Sequence, residues 1–566
     1  MESERAKMDS LSISTTTYFA LGLLLVLAIT RRLLQTLNDK HRHLPLPPGP
    51  PRVPILGNLL NAPRSQPFKH WLQLSKVYGP IISIDIAGQS LVVVNSNEMA
   101  QDLLSKRAAR YSDRPRLPLV ELMEGAKPYG ANFLLARQYD AGFRLHHRML
   151  ASGMTSTCAP RFQALMQLET AQLLRDLLRE DSVTGATTKG KDRLAATDII
   201  SSKTIESHFA RMQGSVVLGL LYSLRFETAD DPVLVENADV LRDLGNLGRG
   251  SPILQLFPSL TSVPSFLSPW AGPAQAVRKR ETPLAKRNLA AGLQAPGWNL
   301  AKQATDIALR NEVADDELQY TLFESAVAGM ESTPQALLWV LVACLNHPDV
   351  ITRAQEVLDR VVGQTRMPSF ADRGDLAYID AVIVETLRWR PVAPDGVPHR
   401  CAAGDEYRGM RIPAGALVLA NTWGLGREEA VFGMGGRYHV EKYIPERWLE
   451  GGVPDGKIRH DLPVSIFGLG RRTCVGKRIA EDGLFIAVAR LLWAFAIRIP
   501  EDGTKPDPDA ISPTALTVSP AVFDVDMKPR GDWVSRVVEQ EWAALEKDQF
   551  RVTGRYDGYT ETKTIT

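Results

Sequence analysis

Cysteine is scarce, with four in 566 residues. They are Cys158, Cys344, Cys401 and Cys474, and no two form a CxxC pair. That excludes a disulfide scaffold and a structural zinc site of the usual spacing. An excess of either charge is also missing. Lys and Arg total 66 against 64 Asp and Glu, a formal net charge of +2. The basic footprint of a dedicated nucleic-acid binder is therefore absent. At 44% hydrophobic and 23% charged the composition is that of an ordinary globular chain, which excludes wholesale disorder. Beyond residue 60 there is no low-complexity run, no internal repeat and no obvious interdomain linker. A length prior of about 150 residues per domain would give three or four domains, but the pattern reads as one large domain.

One long uncharged segment stands out, from Ser10 to Thr30, strongly apolar between Tyr18 and Ile29. At ~1.5 Å per residue it spans about 30 Å, one hydrocarbon core. Arg31 and Arg32 stop it, and Lys40 and Arg42 follow. The positive-inside bias leaves the long C-terminal part in the cytosol. A cleaved signal peptide is disfavoured, because charges rather than small residues follow Thr30. Next, Leu44 to Asn58 is rich in proline, which fixes φ and favours stiff, extended backbone. After a membrane anchor it reads as a rigid spacer.

Helical periodicity dominates the remainder. Helices are expected over Ala164–Glu180, Leu318–Leu345, Val350–Val362, Ile379–Trp389 and Ala480–Phe495. Short strands are expected at Ile81–Ile86, Ser90–Val94, Met410–Ile412 and Leu417–Ala420. Mostly helix with a few small sheets is the resulting class. Residues 251–298, rich in Pro and Gly, resist assignment. One further helix is expected over Trp533–Lys547.

Cys474 lies in Phe467-Gly-Leu-Gly-Arg-Arg-Thr-Cys-Val-Gly476, just before an expected helix. A cysteine at such a turn faces the positive end of the helix dipole, which favours its thiolate. Gly470 and Gly476 allow close backbone approach to a flat ligand, and Arg472 can hold an anion. These features suit a thiolate beneath a haem. Cys158, Cys344 and Cys401 read as small buried hydrophobes.

Here the sequence resembles the cytochrome P-450 family of haem-thiolate monooxygenases. Phe467, Gly470, Arg472, Cys474 and Gly476 meet every specified position of its Phe-x-x-Gly-x-Arg-x-Cys-x-Gly signature, and the resemblance runs over residues 45–529. Glu385-Thr-Leu-Arg388 puts two charges on one helix face; with Arg447 of Pro445–Trp448 it matches the family's buried structural triad. Ala328-Gly-Met-Glu-Ser-Thr333 resembles the family's oxygen-binding helix. Pro334 removes the partner of the Met330 carbonyl and Gly329 leaves space beside it. The expected groove can hold water, with Glu331, Ser332 and Thr333 supplying protons. For haem-propionate anchoring the resemblance points to His399, Arg472 and either His147 or Arg148, with Phe143 in the place of the family's Trp.

The fold implied is mainly α, a helical prism with a small β-rich side behind an N-terminal transmembrane helix. The chain divides into an anchor (1–32), a proline-rich hinge (33–58), a haem-thiolate catalytic domain (59–529) and a tail without assigned role (530–566). The implied cofactor is haem b held by a Cys474 thiolate. NADPH acts only indirectly, through NADPH–cytochrome P-450 reductase, with cytochrome b5 as a further partner. The implied place is the endoplasmic reticulum membrane, single-pass, with a cytosolic catalytic domain. The implied reaction is hydroxylation or epoxidation of a lipophilic small molecule, in the style of fungal polyketide, terpenoid or alkaloid tailoring. Two other readings are a haem-thiolate isomerase or dehydratase, which would not need the Glu331–Ser332 relay, and a non-catalytic membrane haem-binding protein, which an intact cysteine motif disfavours.

Overall fold

The computed structural model describes residues 43–555 without 64, 124–133, 185–198, 250–253, 255–257 and 264–267, together with Gly22, Val26, Ile29 and Thr30. The anchor reading lies outside the described residues except at those four positions, which are helical and exposed. The helices that build the core and the site are α1 (Ala141–Ser152), α2 (Ala159–Thr184), α3 (Ser202–Tyr222), α4 (Asp315–Asn346), α5 (Pro348–Val361), α6 (Ala377–Trp389), α7 (Lys477–Ala494) and α8 (Asp532–Ala544). Every helix expected from periodicity is present, with ends moved by a few residues. The Pro- and Gly-rich stretch holds a helix of its own, Ala271–Gln294, with Pro283 inside it.

The helices form where local rules and burial agree. Asp140 caps α1, its carboxylate accepting from Phe143 N at 2.6 Å. Helix α5 starts with Pro348 at its first turn and buries Val350, Ile351, Ala354, Val357 and Leu358, one face at helical spacing. Helix α4 begins with Asp315, Asp316 and Glu317 at the positive end of its dipole. It is then apolar almost all round, as a central core helix must be. Among the described residues it is the one helix long and apolar enough to cross a membrane, and it is mostly buried inside the protein. Its packing on α3 and α7, with α2, α5 and α6 outside, makes the main core around Trp339, Trp448 and Trp493.

The largest sheet has β1 (Ile81–Ile86), β2 (Gln89–Val94), β3 (His399–Arg400) and β4 (Leu417–Ala420) in the order β1-β2-β4-β3. Ala87 and Gly88, both at positive φ, close the β1–β2 hairpin. Strand β3 pairs antiparallel with β4 and so carries His399 inward. A small hairpin, β5 (Ile511–Pro513) with β6 (Val518–Pro520), sets the turn 514–517 beside α4. The proline-rich stretch is not free of the body. Pro48 O accepts from Ser83 N and Pro45 O from Arg411 N, both at 2.8 Å. Helix α8 also joins the core, burying Val534, Val537 and Val538 and setting Trp533 edge-on to Trp493 at 4.8 Å.

Candidate active site

A cavity with about 1110 Å³ of empty space lies between α1, α3, α4 and the cysteine loop. Its walls are mainly apolar: Leu134, Phe143, Leu150, Val217, Leu221, Val475 and Ile479. Polar groups are few, the usual pattern of a ligand site.

Cys474 forms part of that wall and is exposed into it. The loop before α7 is folded so that Cys474 N donates to Phe467 O at 2.7 Å. Burial pushes the thiol up, against the Gly476 N–H and Lys477, which pull it down. The dipole argument alone therefore does not set its charge; a bound metal ion would, since it deprotonates a coordinating thiol outright. Cys344 and Cys401 are buried and Cys158 half-buried, as expected of inert cysteines. Gly470 differs from expectation. Its φ is +62, and a Cβ there would overlap the Leu104 carbonyl. It thus serves close packing of protein on protein, whereas Gly476 borders the cavity with only Cys474 Sγ nearby, at 4.0 Å.

Two guanidinium groups reach the same cavity. Arg472 donates to the carbonyls of Ser112 at 2.8 Å, Leu134 at 3.2 Å and Arg137 at 2.5 Å, and it covers the Phe143 ring at 3.8 Å. Arg114, which sequence reasoning missed, donates from Nη1 to Val397 O at 3.0 Å and Pro398 O at 2.8 Å. Its Nε is buried without a partner. Burial lowers Arg472 to about 10, partly offset by Asp113. Burial, then the charge of Arg472, lowers Arg114 to about 9. A buried and a half-buried cation that repel each other, neither ion-paired among the described residues, suit an anionic ligand. The only sequence cue for Arg114 is that it stands between Asp113 and Pro115, which names no ligand.

His399 does not border the cavity but sits behind these arginines. Its Nδ1–H donates to Tyr111 O at 2.7 Å. Burial, with Arg114 next, pushes its pKa down to about 3, so the ring is neutral at pH 7 and presents Nε2 unprotonated. On α1 the two anchor candidates separate. His147 borders the cavity. Arg148 is turned away and donates to Asn311 Oδ1 at 3.1 Å. Neighbouring helix residues point about 100° apart, so both could not face one ligand; Arg148 is withdrawn as a propionate holder.

On α4, Ser325, Ala328, Gly329, Ser332 and Thr333 border the cavity. The Ser332 hydroxyl back-bonds to Ala328 O at 3.3 Å. Gly329 does not leave open space: a Cβ would come within 3.0 Å of Val217, and Gln213 Nε2 donates to Gly329 O at 2.9 Å. Glu331 is the larger departure. Its buried carboxylate faces away from the cavity and accepts from Thr514 Oγ1, Leu516 N at 3.1 Å, Thr517 N at 3.2 Å and Thr517 Oγ1 at 2.9 Å. An acid so fully occupied is not placed as a proton donor to the cavity.

The triad residues also meet. Arg388 pairs with Glu385 through two bonds of 2.7 and 2.8 Å, and Arg447 Nε donates to Glu385 at 3.0 Å. Ile444 N and the Trp448 indole N–H, each at 2.8 Å, complete the carboxylate. The arginines' remaining N–H groups reach carbonyls of Phe432, Val440 and Lys442. The Glu385 pKa is held down: burial raises it, and the two arginines outweigh burial.

A cysteine, two unpaired cations and an apolar slot between them suit a flat dianionic metal macrocycle. Comparison with known proteins agrees. The family model for cytochrome P450 matches residues 47–525. The chain is 33% identical over 515 residues to cytochrome P450 monooxygenase aneD of Aspergillus aculeatus, covering 90% of this chain and 92% of that one. It is 32% identical to the echilunin cytochrome P450 monooxygenase of Aspergillus ruber, over 92% and 90%. It is also 32% identical to cytochrome P450 monooxygenase peniB of Penicillium patulum, over 92% and 91%. The chain belongs to the cytochrome P450 family: it is a monooxygenase whose haem is held by a cysteine thiolate and whose electrons come from a redox partner.

Proposed function

We propose that this chain is a membrane-anchored monooxygenase that hydroxylates or epoxidises a lipophilic small molecule in fungal secondary metabolism. One observation carries the reading: Cys474 and the two unpaired guanidinium groups of Arg114 and Arg472 border one apolar cavity. In it, Cys474 is the haem-iron ligand. Arg472 and Arg114 hold the propionates, with His147 beside them and His399 behind. For His399 to donate from Nε2 it must first take up a proton, which a neighbouring carboxylate favours. Phe467, Gly470 and Gly476 shape the ligand loop. Haem supplies the dioxygen chemistry, with one oxygen atom entering the substrate and the other leaving as water.

The protein's own part is to exclude water, orient the substrate and move protons. Leu150, Val217, Leu221 and Ile479 give the substrate an apolar wall. Ser332 and Thr333 are the hydroxyls that order water and pass protons into the cavity. Glu385, Arg388 and Arg447 serve folding. The segment Ser10–Thr30 is the single span that fixes the enzyme to the endoplasmic reticulum, ahead of the hinge (33–58), the catalytic domain (59–529) and the tail (530–566). NADPH–cytochrome P450 reductase supplies the electrons, with cytochrome b5 as a second donor. The relative named for echilunin supports the secondary-metabolite class.

The test uses full-length holoenzyme with that reductase. A red-shifted Soret band of the reduced CO complex and substrate-dependent NADPH consumption are expected. Deleting residues 1–30 should release the protein to an alkaline wash. A holoenzyme lacking the red-shifted band would overturn the assignment.

A further inference from the structure

We propose that Glu331 is a positioning residue that fastens the turn 514–517 to α4 and so sets the cavity wall, leaving proton transfer to the Ser332 and Thr333 hydroxyls. The inference rests on the monooxygenase reading above. Glu331 is buried on α4, one residue before Ser332, yet it does not border the cavity while Ser332 and Thr333 do. Among the described residues, all the hydrogen-bond partners of its carboxylate belong to one turn. Two hydroxyls, Thr514 and Thr517, and two backbone N–H groups, Leu516 and Thr517, converge on the carboxylate. The two hydroxyls also lie 2.8 Å from each other. Four donors converge on Oε1 and Leu516 N is shared with Oε2, and none of these donors borders the cavity, so the carboxylate is turned into the turn and away from the reaction space.

The turn is in turn wedged between neighbours. A Cβ at Gly245 would come within 2.4 Å of the Ala515 Cα, so the helix carrying Gly245 lies directly against it. Ala515 packs on the apolar cluster that contains Val217, Leu221, Val327 and Met330. Val217 and Leu221 are themselves part of the cavity wall. On the far side Val518 N donates to Val392 O at 2.9 Å, and the Trp339 indole N–H donates to Val518 O at 3.3 Å. Freed from Glu331, the hairpin would keep this strand-side hold, including the Trp339 bond from α4, but residues 514–517 would lose their own tie to that helix. The wall at Val217 and Leu221 would then shift against the cavity.

The experiment compares Glu331→Gln with the double variant Thr514→Val, Thr517→Val, which keeps the Glu331 carboxylate and removes two of its donors. In Gln an NH₂ replaces the oxygen that shares Leu516 N, and loss of the charge weakens the bonds that the remaining amide oxygen accepts, so the tie is weakened there too. Two iron-ligating probes are titrated spectroscopically into holoenzyme. Imidazole reports the iron site alone, and 1-phenylimidazole also touches the wall. Both variants should change the 1-phenylimidazole Kd by roughly ten-fold, the scale of a methylene-sized mismatch in an apolar pocket. Both should keep the imidazole Kd, and the pH profile of reductase-driven NADPH consumption should stay that of the parent. Thr514→Ser with Thr517→Ser, which retains the hydroxyls, should restore the parental Kd. The proposal is overturned if Glu331→Gln alters NADPH consumption or its pH profile while the double valine variant stays parental. It is equally overturned if neither variant moves the 1-phenylimidazole Kd. Should Glu331→Gln fail to take up haem, the valine pair decides by the same Kd. A parent without the red-shifted CO band would instead refute the underlying monooxygenase reading.

Discussion

Two groups of charge, the one around Glu385 and the one at the cavity, are built in opposite ways. In the first, Glu385 is enclosed by Arg388, Arg447, the Trp448 indole and a backbone N–H. Beside the cavity, Arg114 and Arg472 make no ion pair among the described residues: their hydrogen bonds go to carbonyls, they repel each other, and the buried Arg114 Nε has no partner there. A buried charge that is fully paired inside the protein holds structure together, and removing one partner is what costs most. A buried charge left without a counter-ion is an expense that a ligand must offset. On the proposed reading the first group is therefore structural and the second is a site, though both contain two arginines of the same fold.

The largest expected effect is at the Cys474 sulfur, which shares the cavity with the second group. Cys474→Ser should abolish the red-shifted Soret band of the reduced CO complex altogether, because oxygen lacks the electron donation of sulfur. Next comes the paired group. Glu385→Ala leaves two buried guanidinium groups without their anion, at a cost of about 3–5 kcal/mol, a large part of a typical domain's stability. Haem-free, aggregated protein is expected, read by the ratio of Soret to protein absorbance. Folded holoenzyme with altered turnover alone would assign the triad to chemistry. The pH dependence has a definite sign. Because the Glu385 pKa is held below its ordinary value, its stabilisation is complete above the usual carboxylate range. It is lost as pH falls through the folded value, so acid unfolding of the parent should be steeper than that of Glu385→Gln.

The unpaired group should behave the other way. Arg114→Met should leave haem-free protein as stable as the parent or slightly more so, since it removes a repelled cation. It should weaken haem retention by roughly ten- to a hundred-fold, the worth of one or two charged hydrogen bonds. Thermal melts of the haem-free and haem-loaded forms check both halves. An equal loss in both forms would make Arg114 a structural residue like Arg447. His399 adds a pH signature. With its folded pKa pushed down to about 3, the unfolded chain takes up a proton first as pH falls below ~6.5. Haem-free protein should therefore lose stability from about pH 6.5 downward, and His399→Asn should remove that part of the slope.

The cysteine loop, the triad and most helices were legible in the sequence because they depend on local spacing. Cys474 with its glycines, Glu385 with Arg388 one helix turn on, and the apolar stripe of α5 are all short-range patterns. Arg114, by contrast, is marked only by the absence of a counter-ion, and that absence is created by tertiary packing. The partners of Glu331 lie in a turn nearly two hundred residues further on, so the acid read as a relay when only its helix neighbours were in view. His147 against Arg148 was decidable by the angular step of a helix, once the cavity's direction was known. The role of Gly470 was misread because its near neighbour is the Leu104 backbone, which no motif contains.

The finest test of the paired group concerns Trp448, whose indole N–H donates to Glu385. Its ring is buried in the main core beside Phe432, at 5.8 Å and 51°. Its N–H adds a 2.8 Å bond to Glu385 Oε2, an oxygen that otherwise accepts only from Arg388. Trp448→Phe would keep an aromatic ring against Phe432 but take away that donor. Hydrogen bonds to charged groups are worth about 1.5–3 kcal/mol. Four donors to Glu385 would remain, so a loss at the low end, about 1.5 kcal/mol, is expected. Holoenzyme should still form with its red-shifted CO band intact and should melt a few degrees lower, as befits a large domain. The double change Trp448→Phe with Glu385→Gln isolates the bond, because the neutral amide needs the indole less. If the two single losses simply added, the indole would act through packing alone, and Glu385 would be completed by its arginines and the backbone without it.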